Sequence, residues 1–256
     1  MPTTRMSREA ALTLDYSTAG VAVREDLRDA HRYLLEHIAT PGAWWTGGQR
    51  VAIAAEARHS LSCDLCRRRK AALAPSHATG EHDSLGAVSV TLVEAIHRIR
   101  TDPGRLSRSW FDRIAAAGVT DGEYVELVGV VTLAAGLDFF ARALGIAPFT
   151  LPEPRAGAAS HYRPPAAKAG TAWVPMIACE DATGAEADLY EGLPFVPNIV
   201  RALSLVPSEV KALQRSSAAH YFPVKDIIDP TVRRTLDRMQ IELIAARVSA
   251  LNQCFY

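Results

Sequence analysis

The sequence predicts an all-α protein on three observations: apolar residues recur at helical spacing in segment after segment, helix start and stop signals separate those segments, and strand-like alternation is scarce. With 256 residues, 48% of them apolar and 22% charged, the chain has the composition of a globular protein with a sizeable core. That length suits two units. The formal net charge is zero, so no global field favours nucleic acid or an anionic membrane, and a small molecule or another protein is the expected partner. The first residues carry no apolar run ahead of Arg5, and the most apolar stretch, residues 124–146, is interrupted by Glu126, Asp138 and Arg142. A buried helix is expected there and not a membrane span, with a cytoplasmic location and reduced thiols.

The elements follow in order. Residues 24–38 place Leu27, Tyr33, Leu34 and Ile38 near helical spacing, and Thr40-Pro41-Gly42 stops the run. Residues 48–61 form an Ala-rich second helix, and residues 63–73 a third that ends before Pro75. Residues 88–99 carry Val88, Leu92, Val93, Ile96 and Ile99 on one face, closed by Asp102-Pro103-Gly104. Ser107 caps a short helix over 110–117, and Gly118 supplies the turn after it. Thr120, followed three residues later by Glu123, is a capping box opening a long helix to about Leu144. Residues 148–190, interleaving prolines with Gly and Ala, are expected to be an extended linker between units at 22–147 and 191–256. Helices over 199–205 and 207–220 follow. Asp229-Pro230 offers a cap and first-turn proline for a final helix with a stripe at Val232, Leu236, Met239, Leu243 and Ala246.

Cys63-Asp64-Leu65-Cys66 is the motif that carries chemistry. Its spacing puts both thiols on one helix face, where they can close a disulfide, and Ser62 is a plausible cap. A thiol in the first helical turn feels the positive end of the dipole, and Arg67, Arg68, Arg69 and Lys70 add cationic neighbours. Both favour thiolate, which attacks a peroxide O–O bond to give a sulfenic acid that the second cysteine condenses into a disulfide. His59, four residues before Cys63, is a candidate helper. A zinc site is disfavoured, because a structural zinc takes four ligands and the sequence shows neither a second C-x-x-C nor a spaced histidine pair. No metal or cofactor is expected. His97, Trp44-Trp45 and Cys179 are expected to pack or lie exposed.

Residues 88–146 carry Ile96-His97-Arg98-Ile99-Arg100-Thr101-Asp102-Pro103, Gly118-Val119-Thr120-Asp121 and Glu126-Leu127-Val128-Gly129-Val130-Val131. They resemble the helices after the redox pair in the alkylhydroperoxidase D and carboxymuconolactone decarboxylase family. Residues 196–203 and 242–256 resemble the family's peroxidase-related branch. The resemblance implies tandem alkylhydroperoxidase-like helical units, the second incomplete, that form a homo-oligomer. It also implies a thiol-dependent antioxidant peroxidase with peroxiredoxin activity, served by an external dithiol or protein reductant. The family motif is a glutamate, eleven residues, a cysteine, two residues, a second cysteine, three residues and a histidine. Glutamate and histidine relay a proton from the second, attacking thiol, and the first thiol resolves.

On that motif Cys66 attacks and Cys63 resolves, but Val51 stands at the glutamate position and Lys70 at the histidine position. Glu56, seven residues before Cys63, is expected to lie elsewhere on the fold. Glu242 and Cys254 match the first two elements of a second copy of the motif, whose attacking residue falls at 257; a selenocysteine whose codon was read as a stop is one expectation there, and a frameshift, a sequence fragment or a true truncation are the others. The alternatives are an acid–base enzyme of the carboxymuconolactone decarboxylase kind, which needs no C-x-x-C, and a non-catalytic redox or scaffold module.

Overall fold

The computed structural model describes residues 14–193, 195–223, 226–227 and 229–252. Among them the regular structure is helical: α1 (Glu25–Ala39), α2 (Gly47–His59), α3 (Asp64–Ala71), α4 (Val90–Thr101), α5 (Arg108–Ala116), α6 (Asp121–Ala143), α7 (Asn198–Arg201), α8 (Pro207–His220) and α9 (Arg238–Leu251). Extended backbone pairs among the described residues only at a single antiparallel bridge between Lys168 and Met176.

The caps explain most of the boundaries. Thr120 accepts from the Glu123 amide, and the Glu123 carboxylate accepts from the Thr120 amide at 2.8 Å, which fixes the start of α6. Ser107 does the same for α5 through the Trp110 amide. Gly118 follows α5 at φ 100°, a conformation that favours glycine. The last helix departs from expectation: Asp237, not Asp229, is its N-cap, accepting from the Gln240 amide at 2.9 Å. Asp229 is engaged instead by the amide and hydroxyl of Thr231, a local turn that competes with helix initiation.

Helix α6 is the axis of the molecule. It is long and apolar enough to cross a bilayer, but Leu127, Val130, Val131, Leu133, Ala134, Leu137 and Ala141 are buried in the protein core. Helices α2, α4 and α8 pack against it, and α1 lies across α2 and α8. Burying each large apolar side chain stabilises by about 1.5–3 kcal/mol. The same interior holds a charged knot. Arg50 bonds to Glu126 and, at 2.9 Å, to Glu209, while His37 donates to Glu209 at 2.8 Å. Gly129 makes room for it, since a Cβ there would lie 2.4 Å from the Glu209 carboxylate. The knot joins α1, α2, α6 and α8, so α8 is tied into the same core as the earlier helices.

Residues 148–190 carry no α-helix and are bonded to the core. The amides of Arg155, Ser160 and His161 donate to the carbonyls of Ala39, Gly42 and Ala43. Ile177 and Leu189 are fully buried in the main hydrophobic cluster, which also takes in Val200, Leu205 and Val210. Helix α9 is the opposite case. It contains no buried residue, and Met239 and Leu243 of the apolar stripe are 81% and 72% exposed.

Candidate active site

The site forms where α3 meets α2, α4 and the connection between α3 and α4. Cys63 is the N-cap of α3 and Cys66 lies in its first turn, so the expected position of the pair at a helix start is the observed one. Ser62 does not cap; its hydroxyl donates to the His59 carbonyl. Both cysteines are free thiols and both are buried. Two histidines close over them. His82 Nδ1 lies 3.5 Å from the sulfur of Cys63 and 3.5 Å from that of Cys66, and His97 Nδ1 lies 3.3 Å from Cys66.

Each imidazole is held from behind by a carboxylate. His97 Nε2 bonds to Glu56 Oε1 at 2.8 Å, and Glu56 Oε2 accepts from the Leu85 amide at 3.0 Å and the Ser84 hydroxyl at 3.2 Å. His82 Nε2 bonds to Glu94 Oε2 at 2.8 Å, and Glu94 also accepts from Arg69 and from the Trp110 indole. Because both Nε2 atoms face carboxylates, both Nδ1 atoms are turned to the sulfurs. Burial alone would raise the Cys63 thiol, but the Cys66 amide, the His82 ring and the Asp83 amide bring it down to about 7. Burial alone would lower His82, but its bonds to Cys66, Glu94 and Cys63 hold it at about 10. Burial likewise opposes ionisation of Glu94, yet His82 and Arg69 hold its carboxyl at about 2. His97, in contrast, is lowered, chiefly by burial.

Cys63 and Cys66 line a cavity of about 940 Å³ whose wall also carries Arg58, Lys70, Arg100 and Arg142. Arg58 is paired with Asp138 at 2.8 Å.

The remaining expected residues fall in several places. Lys70 is exposed on the cavity wall, and Arg67, which also lines it, is paired with Asp64. His59 is turned to Asp83, at 3.4 Å. Glu242 bonds to the Tyr221 hydroxyl and to Arg238 on α9. Cys254 lies outside the described residues.

Three residues that the linear pattern set aside or passed over complete the cluster. Glu56 is not elsewhere on the fold, because α2 packs against α4 and brings its carboxylate to His97. His97 does pack in the interior, yet it does so against a thiol. His82 has no helical periodicity to mark it, and fifteen residues separate it from Cys66 and fourteen from His97. The one available signal was Glu94 and His97, three apart on the same face of α4. Two sulfurs and two imidazole nitrogens also make a donor set able to hold a metal ion, supplied by histidines that sequence spacing alone does not pair.

Compared with protein-family models, curated proteins and solved structures, the chain matches none.

Proposed function

We propose that this chain is a thiol-dependent peroxidase or disulfide oxidoreductase of the alkylhydroperoxidase kind, reducing small hydroperoxides through Cys66 and Cys63. The observation that carries the reading is the buried chain Glu56–His97–Cys66, opening on the cationic cavity. It supplies the acid–base parts of the family motif from different positions in the sequence. With Nε2 donating to Glu56, His97 presents a lone pair at Nδ1 to the Cys66 thiol and takes its proton. The Cys66 sulfur then attacks the distal peroxide oxygen, the O–O bond breaks, and His97 returns the proton to the departing alkoxide. Cys66 is left as a sulfenic acid. The Cys63 sulfur displaces that hydroxyl as water, closing a disulfide, and an external dithiol restores both thiols.

The test is consumption of hydrogen peroxide and tert-butyl hydroperoxide by the full chain with dithiothreitol as reductant. Cys66→Ser is expected to abolish turnover. Cys63→Ser should still consume about one equivalent of peroxide and then stop as a sulfenic acid that a dimedone probe captures. A wild-type chain that consumes no peroxide, or a Cys66→Ser chain as active as wild type, overturns the reading.

A further inference from the structure

We infer that, in the reduced protein, Cys63, Cys66, His82 and His97 form a tetrahedral zinc site. This goes beyond the peroxidase reading and does not depend on it. The four donor atoms, two sulfurs and two Nδ1, all lie within 4.8 Å of one another. A tetrahedron with zinc–sulfur bonds of about 2.3 Å and zinc–nitrogen bonds of about 2.0–2.1 Å has sulfur–nitrogen edges of about 3.6 Å. The observed sulfur–nitrogen separations run from 3.3 to 3.5 Å along three of those edges, and the remaining pairs, all within 4.8 Å, would close in around an ion.

A second observation points to a metal independently of spacing. Histidines that ligate metals as a rule donate their other ring nitrogen to a carboxylate or carbonyl, which fixes the tautomer and aims the ring. Both histidines here do so, through Glu56 and Glu94, and those carboxylates are themselves held by Leu85, Ser84, Arg69 and Trp110. That arrangement aims Nδ1 of each ring at the sulfurs, and a metal bound there takes the place of the proton that His82 holds at Nδ1. Two thiolates and two neutral imidazoles also balance a divalent ion, which suits a site whose cysteines are 1% and 3% exposed. Sulfur and imidazole donors in a closed tetrahedral set select zinc over magnesium or calcium.

There is a structural use for the ion. The cysteines belong to a satellite cluster with Leu65 and Ala78, separate from the main core. So small an apolar patch holds α3 weakly, and an ion bonded to α3, the following connection and α4 would staple the three together. Zinc bound to both thiolates lowers their nucleophilicity, so the loaded form reacts with peroxide more slowly than the free pair. Where the peroxidase reading also holds, a hydroperoxide and two protons convert the zinc dithiolate to a disulfide, an alcohol, water and free zinc. Oxidation then opens the staple.

The experiment uses the full chain, reduced with a phosphine under argon, stripped with a chelator and titrated with cobalt(II), then zinc. The expected result is one equivalent of cobalt, with intense ligand-field bands of a tetrahedral ion and sulfur charge-transfer absorption, displaced stoichiometrically by zinc. The Cys63→Ser/Cys66→Ser double variant loses the spectrum. Glu56→Gln weakens binding about 10- to 100-fold through His97. His82→Cys keeps the tetrahedral bands and gains charge-transfer intensity, which guards against loss of signal by misfolding. An octahedral cobalt spectrum, uptake below stoichiometry, or a double variant that binds like wild type overturns the proposal. Peroxide consumption by the stripped protein is scored separately: turnover without metal uptake sinks the zinc site alone, and metal uptake without turnover sinks the peroxidase alone.

Discussion

Glu56 and Glu242 are both helical glutamates that precede a cysteine, and they end in opposite settings. Glu56 has no exposed surface, and its two oxygens hold His97, Ser84 and the Leu85 amide beside the thiol pair. Glu242 sits on a helix with no buried residue and meets an arginine on its own helix and a nearby tyrosine. It is Glu242 that stands at the motif spacing, with eleven residues between it and its cysteine, while only six lie between Glu56 and Cys63. Chemistry depends on what a carboxylate can reach, and helix packing sets that reach more than sequence spacing does.

The sharpest way to break the contrast is to disarm the buried carboxylate. Glu56→Gln keeps the shape and removes the carboxylate that orients His97, so on the proposed peroxidase reaction the rate should fall about 10²- to 10⁴-fold, the range for loss of an acid–base partner. Stopped-flow single-turnover measurements with hydrogen peroxide would register it. A rate within twofold of wild type would mean that Glu56 is a packing residue and that the comparison has no chemical content. Next in size is the charged knot that joins α8 to the body. Arg50→Met strands Glu126 and Glu209 in the interior, and losing one partner of a buried ionic group costs about 3–5 kcal/mol. The urea midpoint measures this, and a loss under 1 kcal/mol would show that the knot is dispensable.

Much of the fold was legible from local signals. Thr120 with Glu123, Ser107, Gly118 and Pro75 act within a few residues of themselves, and each falls at or beside an observed boundary. Asp229-Pro230 carries an ambiguous signal, because the same side chain that caps a helix also closes an Asx turn, and Thr231 lies in range for the latter. The thiol pair was legible for the same reason as the caps, being a local pattern. The histidines were not. His82 and His97 reach the sulfurs only because α2, α3 and α4 converge, and no spacing rule encodes that convergence. In the Pro-rich stretch the buried Ile177 and Leu189 are isolated apolar residues with no period to announce them.

Acid separates the two carboxy-terminal helices. At the interface of α8 with α1, the Tyr16 hydroxyl donates to His31 Nδ1 at 2.8 Å, His31 Nε2 faces His220 Nε2 at 3.0 Å, and His220 Nδ1 donates to the Ser216 carbonyl at 2.9 Å. That chain is complete with both rings neutral. Burial, with His220 beside it, lowers His31 to about 4, and burial lowers His220 as well, with Arg24 and Asp26 as its charged neighbours. The unfolded chain takes up these protons near pH 6.5 and the folded one does not. Stability is therefore complete above about pH 6.5 and declines as the pH falls toward 4, by up to about 3 kcal/mol for His31. His31→Gln should flatten the dependence of the urea midpoint on pH in that window. A wild-type midpoint constant from pH 7 to pH 4.5 would contradict the neutral pair.

The smallest effect belongs to α9, and it sets the baseline for the rest. Leu243 is 72% exposed, so Leu243→Ser removes little buried surface and should shift the urea midpoint by no more than about 0.5 kcal/mol. The same change in the body, Leu137→Ser on α6, empties a site with 1% exposure and should cost several times as much. If Leu243→Ser instead destabilises by more than about 1 kcal/mol in a way that grows with protein concentration, the face of α9 is covered by a second copy of the chain. In that case sedimentation velocity would show the wild type as a dimer and the variant as a monomer. Helix α9 would then be a buried helix like α8, and the contrast between Glu56 and Glu242 would have to be redrawn within the assembly.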